Sequence, residues 1–201
     1  LDAESRAGII PYLERLHEQL ETPVLYVTHS FDEVARLADH LVLMRAGRIA
    51  GSGPLIEMMN RADGPLAGLA DAESIIEATV AEHDEGFHLT RLAFAAGSLT
   101  APRTLLPVGR TVRVRVFARD VSLTTLPPAA TSILNILPAT VLAVGDAAAG
   151  QADVRLDIGG GFTLLARITR KSAAALGLAP GTRVFAQVKS VALTEGSPAG
   201  G

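Results

Sequence analysis

The 201-residue sequence contains no cysteine. This excludes disulfides and thiolate metal sites, and it fits a reducing compartment. No apolar run approaches the ~18 residues needed to cross a bilayer, and the first turn is charged where a secretory signal would be apolar. A soluble chain is expected. A large excess of charge of one sign is also absent: the net charge of −3 gives no general electrostatic case for a nucleic-acid partner. The five histidines lack tight metal-ligand spacing, His83 and His88 being the closest pair, so no metal site is expected. Gly159-Gly160-Gly161 opens no helix and reads as a turn.

What is present is concentrated first in residues 24–53, VLYVTHSFDEVARLADHLVLMRAGRIAGSG. The apolar run Val24-Leu25-Tyr26-Val27 reads as a buried strand that ends at Thr28-His29-Ser30. A helical pattern follows, with Val34, Leu37 and Ala38 on one side. A second run, Leu41-Val42-Leu43-Met44, turns at Arg45-Ala46-Gly47-Arg48 into Ile49. A lone histidine at the carboxyl end of a buried strand stands where open α/β sheets bind ligands. Upstream, Asp2 is a good N-cap for a helix carrying Ile9, Ile10, Leu13, Leu16 and Leu20, with Pro11 inside it. Thr22-Pro23 ends that segment, and Pro54 suits the first position of a further short helix.

The pattern THSFDEVxxLADxxxxMxxGRI around His29 resembles the switch-histidine region of ABC-transporter ATPases. That resemblance implies that His29 holds the γ-phosphate of ATP and positions the attacking water beside a catalytic glutamate. The alternative is a strand-end histidine bonded to the next helix. Leu1-Asp2 is similar to the tail of the family's D-loop, which gives Asp2 a second role at a dimer interface besides capping. The sequence holds no G-x-x-x-x-G-K-[ST] loop, no LSGGQ-type signature and no strand ending in the Mg²⁺-binding Asp and catalytic Glu. The expectation is therefore a carboxyl-terminal piece of such an ATPase that neither binds ATP tightly nor hydrolyses it alone, ATP and Mg belonging to the intact protein.

From about Ser74 the pattern becomes β-rich. Short strands are predicted over 75–80, 87–94, 111–117, 141–144, 154–158, 162–168 and 183–188, with one helix over 171–176 closed by Gly177. Strict alternation in Val112-Arg113-Val114-Arg115-Val116 predicts a half-exposed strand with both arginines solvated. The half also repeats itself: VRVFARDVSL (114–123) aligns with VFAQVKSVAL (184–193), and Ala78-Thr79-Val80-Ala81 resembles Ala139-Thr140-Val141-Leu142. Chance likeness between valine-rich strands is the alternative. Compact Greek-key barrels of the OB type are the expected architecture.

Within this half, Thr131-Ser132-Ile133-Leu134-Asn135, Arg167-Ile168-Thr169 and Val188-Lys189-Ser190-Val191 together resemble the molybdate-binding Mop module. Asp120-Val121-Ser122-Leu123 and Pro127-Pro128 extend the likeness to the molybdate-importer ATPases, over essentially the whole chain. The resemblance implies that Ser132, Lys189 and Ser190 bind a tetrahedral oxyanion, with Thr169 supplied by a neighbouring subunit. Such an anion needs hydroxyls, N–H groups and a fixed positive charge. Leu134 stands where the pattern has Arg.

The expected fold is an α/β remnant of a P-loop ATPase domain (1–70) followed by an all-β, OB-like tandem Mop/TOBE domain (71–126 and 127–201). The expected function is the carboxyl-terminal part of the ATP-binding subunit of a molybdate or tungstate ABC importer. It would be a homodimer, peripheral on the cytoplasmic face of the inner membrane and bound to permease subunits. The alternatives are an importer ATPase for sulfate, sugar or polyamine, and a stand-alone Mop-type oxyanion-binding protein.

Overall fold

A computed structural model describes residues 9–13, 16, 23–60 and 72–195. Residues 9–13 are helical, so Pro11 is tolerated within a turn of helix there. Asp2 and Leu20 lie outside the described residues. Residues 24–27 carry no regular secondary structure and pair with no strand among the described residues, and Val24, Leu25 and Val27 are 60, 90 and 88 % exposed. The expected buried strand is therefore not formed. A β-branched run becomes an interior strand only when neighbours satisfy both of its edges and cover its faces, and the described residues provide neither.

Helix α1 (Phe31–Leu37) follows, with Ser30 as its N-cap. A hairpin of β1 (His40–Arg45) and β2 (Arg48–Pro54) comes next. Its turn places Ala46 and Gly47 at φ 49° and 74°, as a tight two-residue hairpin requires. Pro54 ends β2, and helix α2 (Leu55–Asn60) begins one residue later than expected.

The remaining chain is β-rich: β3 (Glu73–Asp84), β4 (Leu89–Phe94), β5 (Gly97–Pro102), β6 (Thr111–Phe117), β7 (Val121–Thr124), β8 (Asn135–Asp146), β9 (Gln151–Gly159), β10 (Phe162–Thr169), β11 (Arg183–Val188) and β12 (Ala192–Glu195). Helix α3 (Arg170–Ala175) sits between β10 and β11. The strands form two five-stranded antiparallel sheets, ordered β12-β6-β3-β4-β5 and β10-β9-β8-β11-β7. Each is an OB-like half-barrel. The short strands β5, β7 and β12 were not expected: β7 and β12 hold only 4 residues each, and β5, GSLTAP, is bounded by Gly97 and Pro102 and lacks an apolar run.

The two half-barrels repeat one design. Val80 in β3 and Val141 in β8 each close the same pair of backbone hydrogen bonds. Val80 N–H donates to Arg110 O (2.9 Å) and accepts at its carbonyl from Gly109 (2.8 Å); Val141 does the same with Thr182 (2.9 Å) and Gly181 (2.8 Å). Immediately after each valine the register shifts by a bulge. This frame aligns Val112, Val114 and Val116 with Val184, Ala186 and Val188, all buried. The sequence alignment of 114–123 with 184–193 therefore slips by two residues in its strand portion. A 3-10 turn (Ala118–Asp120) accounts for the difference. A slip of two preserves which face each side chain occupies, so the pattern looks equally good either way.

The last strands are exchanged between the units. β7, at the end of the first unit, pairs with β11, whereas β12, at the end of the chain, pairs with β6. One continuous core results, drawing Ile76, Val80, Leu92, Leu99 and Val112–Val116 together with Val141, Val154, Leu156, Leu164 and Val184–Val188. A second bridge is reciprocal as well. The buried Asn135 amide accepts from Thr100 N–H (2.6 Å) and donates to Thr100 O (2.9 Å), while Ser74, at the matching position in β3, accepts from Leu165 N–H (2.9 Å).

The expectation of solvated arginines in β6 is overturned. Arg113 and Arg115 are 7 and 6 % exposed because α1 and the residue after it cover that face of the sheet. A small apolar cluster of Ala35, Leu55 and Ile75, flanked by Val34, Leu41 and Met59, seals the same junction.

Candidate functional site

His29 is exposed and has no side-chain hydrogen bond among the described residues. It sits in a turn fixed on both sides. Ser30 N–H donates to Thr28 Oγ1 (3.0 Å), and Ser30 Oγ accepts from Glu33 N–H (3.4 Å) to cap α1. Glu33 is buried, and its carboxylate accepts from Thr28 Oγ1 and from Tyr26 Oη (3.1 Å). An exposed ring on a braced turn at a helix start can present a donor to an anion outside this chain. Asp2 cannot be placed beside it, lying outside the described residues.

The junction beneath α1 was not legible in the sequence. Arg115 donates through Nε and Nη2 to Glu73 (2.9 to 3.2 Å) and through Nη1 to Asp32 of α1 (2.5 Å). Arg113 donates to Ala38 O (2.9 Å) and Asp39 Oδ1 (2.7 Å). Burial opposes the charge of Arg115, but hydrogen bonds and charge from Glu73 and Asp32 outweigh it and its pKa is raised. The signal that could have flagged these residues is Glu73, a carboxylate two residues before the apolar pair Ile75-Ile76.

The oxyanion candidates divide into two groups. Asn135 pairs with Val188, so Ser132 and Leu134 leave β8 at the end where Lys189 and Ser190 leave β11. All four are exposed. Thr169 pairs with Gln151 at the opposite end of the sheet, next to Asp146. The 12 residues of β8, at about 3.3 Å per residue, set an upper limit of roughly 35 Å on the separation of these ends. One chain therefore brings Ser132, Lys189 and Ser190 together and leaves Thr169 apart.

Two features weigh against tight anion binding at that end. Ser190 Oγ donates to Asp120 Oδ2 (2.8 Å), so a hydroxyl expected to serve an anion is held by a carboxylate. Lys189 N–H likewise donates to Asp120 O (3.0 Å). Leu134, 66 % exposed, supplies no charge. Thr169 caps α3, accepting from Ser172 N–H (3.0 Å) and meeting Ser172 Oγ at 2.8 Å, so its hydroxyl is engaged too. His83 is fully bonded, Nδ1 to Thr90 Oγ1 and Nε2 to Leu106 O, both at 3.0 Å.

Comparison with known proteins fits this geometry. Residues 131–194 match the TOBE domain model. The chain is 53 % identical over 193 residues to the molybdenum import ATP-binding protein ModC of Albidiferax ferrireducens, covering 96 % of this chain and 52 % of that protein. With the protein of the same name from Pseudomonas aeruginosa it shares 50 % identity over 197 residues, 96 % of this chain and 54 % of the relative. Over nearly its whole length the sequence is similar to molybdenum import ATP-binding proteins. The chain spans about half the length of the curated relatives it matches. In structure it is similar to the cytoplasmic molybdate-binding protein ModG in a crystal form with molybdate bound. The TM-score is 0.57 at 28 % identity, covering 64 % of this chain and 99 % of that one. No described helix is long and apolar enough to cross a membrane.

Proposed function

We propose that this chain is the carboxyl-terminal part of the ATP-binding subunit of a molybdate or tungstate ABC importer. In this reading residues 1–70 close an ATPase domain, and 71–126 and 127–201 form a tandem oxyanion-sensing domain with exchanged terminal strands. The observation that carries the proposal is the identity of 53 % across nearly the whole chain to a molybdenum import ATP-binding protein. The exposed His29 on its braced turn supports the role of a donor to a terminal phosphoryl oxygen, with Asp2 as its dimer-interface companion. ATP with Mg²⁺ supplies the phosphoanhydride to be cleaved; this chain contributes His29 and leaves the phosphate cradle to residues it lacks. The protein works as a homodimer on the cytoplasmic side of permease subunits, without itself entering the bilayer.

Ser132, Lys189 and Ser190 form one half of an oxyanion site, completed by Thr169 of a second copy. An oxyanion slows transport only if it binds the resting and closed states with different affinity. The test is ATPase activity of the full-length protein with its permease, with and without molybdate. Inhibition that saturates with molybdate or tungstate but not sulfate supports the reading; indifference removes the sensing role.

A second reading, an importer ATPase for another cargo, is favoured by the Asp120–Ser190 bond and by Leu134. Isothermal titration with molybdate, tungstate and sulfate separates the two.

A further inference from the structure

The two arginines of β6 have no counterparts in the repeat. In the frame set by Val80 and Val141, Arg113 matches Phe185 and Arg115 matches Gln187. The β-unit itself therefore does not require them. What distinguishes the first unit is α1 lying across it. Its first-turn Asp32 meets Arg115, and the carbonyl of Ala38 and the carboxylate of Asp39, just past its end, meet Arg113. The same first turn is also tied through Ser30 and Glu33 to residues 26–30, the turn that bears His29. Two rigid attachments thus meet in seven residues.

We infer that Arg113 and Arg115 are positioning residues for His29, fixing its turn relative to the first β unit through α1. The inference rests on the reading of His29 given above and adds how its placement is set. Arg115 is fully committed in this role: its Nε and Nη2 are taken by the buried Glu73, and Nη1 is left to reach Asp32. Because β6 also carries β12, the strand exchanged from the end of the chain, the same attachment links His29 to the part of the molecule proposed to sense an anion.

The test uses the full-length protein with its permease and the variants Arg115→Gln, Asp32→Asn, their combination and His29→Ala. Steady-state phosphate release gives kcat and KM for ATP, and amide hydrogen exchange reports residues 26–38. Arg115→Gln and Asp32→Asn should each lower kcat by about five- to tenfold with KM for ATP changed less than about twofold. Exchange over 26–38 should quicken in both, and the double variant should be no worse than Arg115→Gln alone. Wild-type kcat and wild-type exchange in both single variants, with His29→Ala inactive, would overturn the positioning role while sparing the reading of His29. Wild-type hydrolysis by His29→Ala would overturn both. If Arg115→Gln fails to fold because Glu73 is left buried and unpaired, Asp32→Asn decides alone, since the Asp32 side chain is 60 % exposed.

Discussion

The first and second β units share strand order, the position of the bulge and a side-chain bridge to each other, yet their outer faces differ, and three matched positions bear on the helix seat. Glu73 faces its counterpart Leu134, Arg113 its counterpart Phe185, and Arg115 its counterpart Gln187. The inner faces hardly differ: valines and alanines fill both. The lesson is that the fold is specified from inside, by apolar residues at alternate positions, so the outer face is free to specialise. In the first unit it became an ionic seat for a helix. In the second the three matched positions are uncharged, Leu134 is open to solvent, and the outer-face ion pair is instead Arg167 with Asp153, within the sheet itself.

Breaking the seat should have the largest effect. Arg115→Ala leaves the carboxylate of Glu73, whose side chain is 1 % exposed, without its bidentate partner, at a cost of about 3–5 kcal/mol. Gln187→Ala, the matched change in the second unit, should cost less than about 1 kcal/mol. Urea unfolding of both variants measures the contrast; equal losses would mean that the junction adds nothing to the first unit.

The bridge between units should come next. Asn135→Ala strands both the N–H and the C=O of Thr100 and should cost about 2–3 kcal/mol, against about 1 kcal/mol for Ser74→Ala, which frees one N–H. The same denaturation experiment ranks them, and a reversed order would break the proposed equivalence of the two bridges.

Charging the second unit should sharpen the comparison from the ligand side. Leu134→Arg should tighten molybdate binding roughly tenfold to a hundredfold, the worth of one charge-assisted hydrogen bond, about 1.5–3 kcal/mol. Asp120→Asn should act in the same direction by removing the carboxylate that holds Ser190. Titration calorimetry reads both; unchanged affinity in both variants would place the anion elsewhere. Smaller still, Thr169→Ala should cost about 1 kcal/mol by uncapping α3, a helix that the first unit lacks.

The least effect belongs to the exposed pair Glu82–Arg91 on the first unit. A hydrogen bond from Arg91, then its charge, lowers the pKa of Glu82. A lowered carboxylate pKa adds stability above the ordinary carboxylate range and loses it as pH falls through the folded-state value. Arg91→Ala should therefore narrow the gap between neutral and acid stability only slightly, as acid titrations of both proteins would reveal.

Strands β6 and β11 were legible to their limits because each carries its own alternation, whereas of the 12-residue β3 and β8 only the apolar stretches 75–80 and 141–144 were. The short strands β7 and β12 exist only because partners distant in sequence pair with them, and no local pattern announces that, whereas β5 is the second arm of a local hairpin with β4. Arg113 and Arg115 were misjudged for a related reason. Alternation reports that two faces differ, not that one is wet, and the cover came from Asp32 and Asp39, more than seventy positions earlier. At the site, His29 was legible from its neighbours and is exposed on its turn. The grouping of Ser132 with Lys189 came from the resemblance to the Mop module, and the register of β8 and β11 puts both at one end of the sheet, whereas Asp120's hold on Ser190 depends on the exchanged crossing of two loops.

That crossing also sets an order of events during synthesis. The first barrel lacks one wall until residues 192–195 have emerged, because its closing strand follows every other described strand in the sequence. Until then β6 keeps an open edge, so the early half of the molecule must wait, half-built, for the late half. A nascent chain stopped shortly before Ala192 would leave the earlier barrel unfinished and the later one, whose wall β7 was made long before, almost whole.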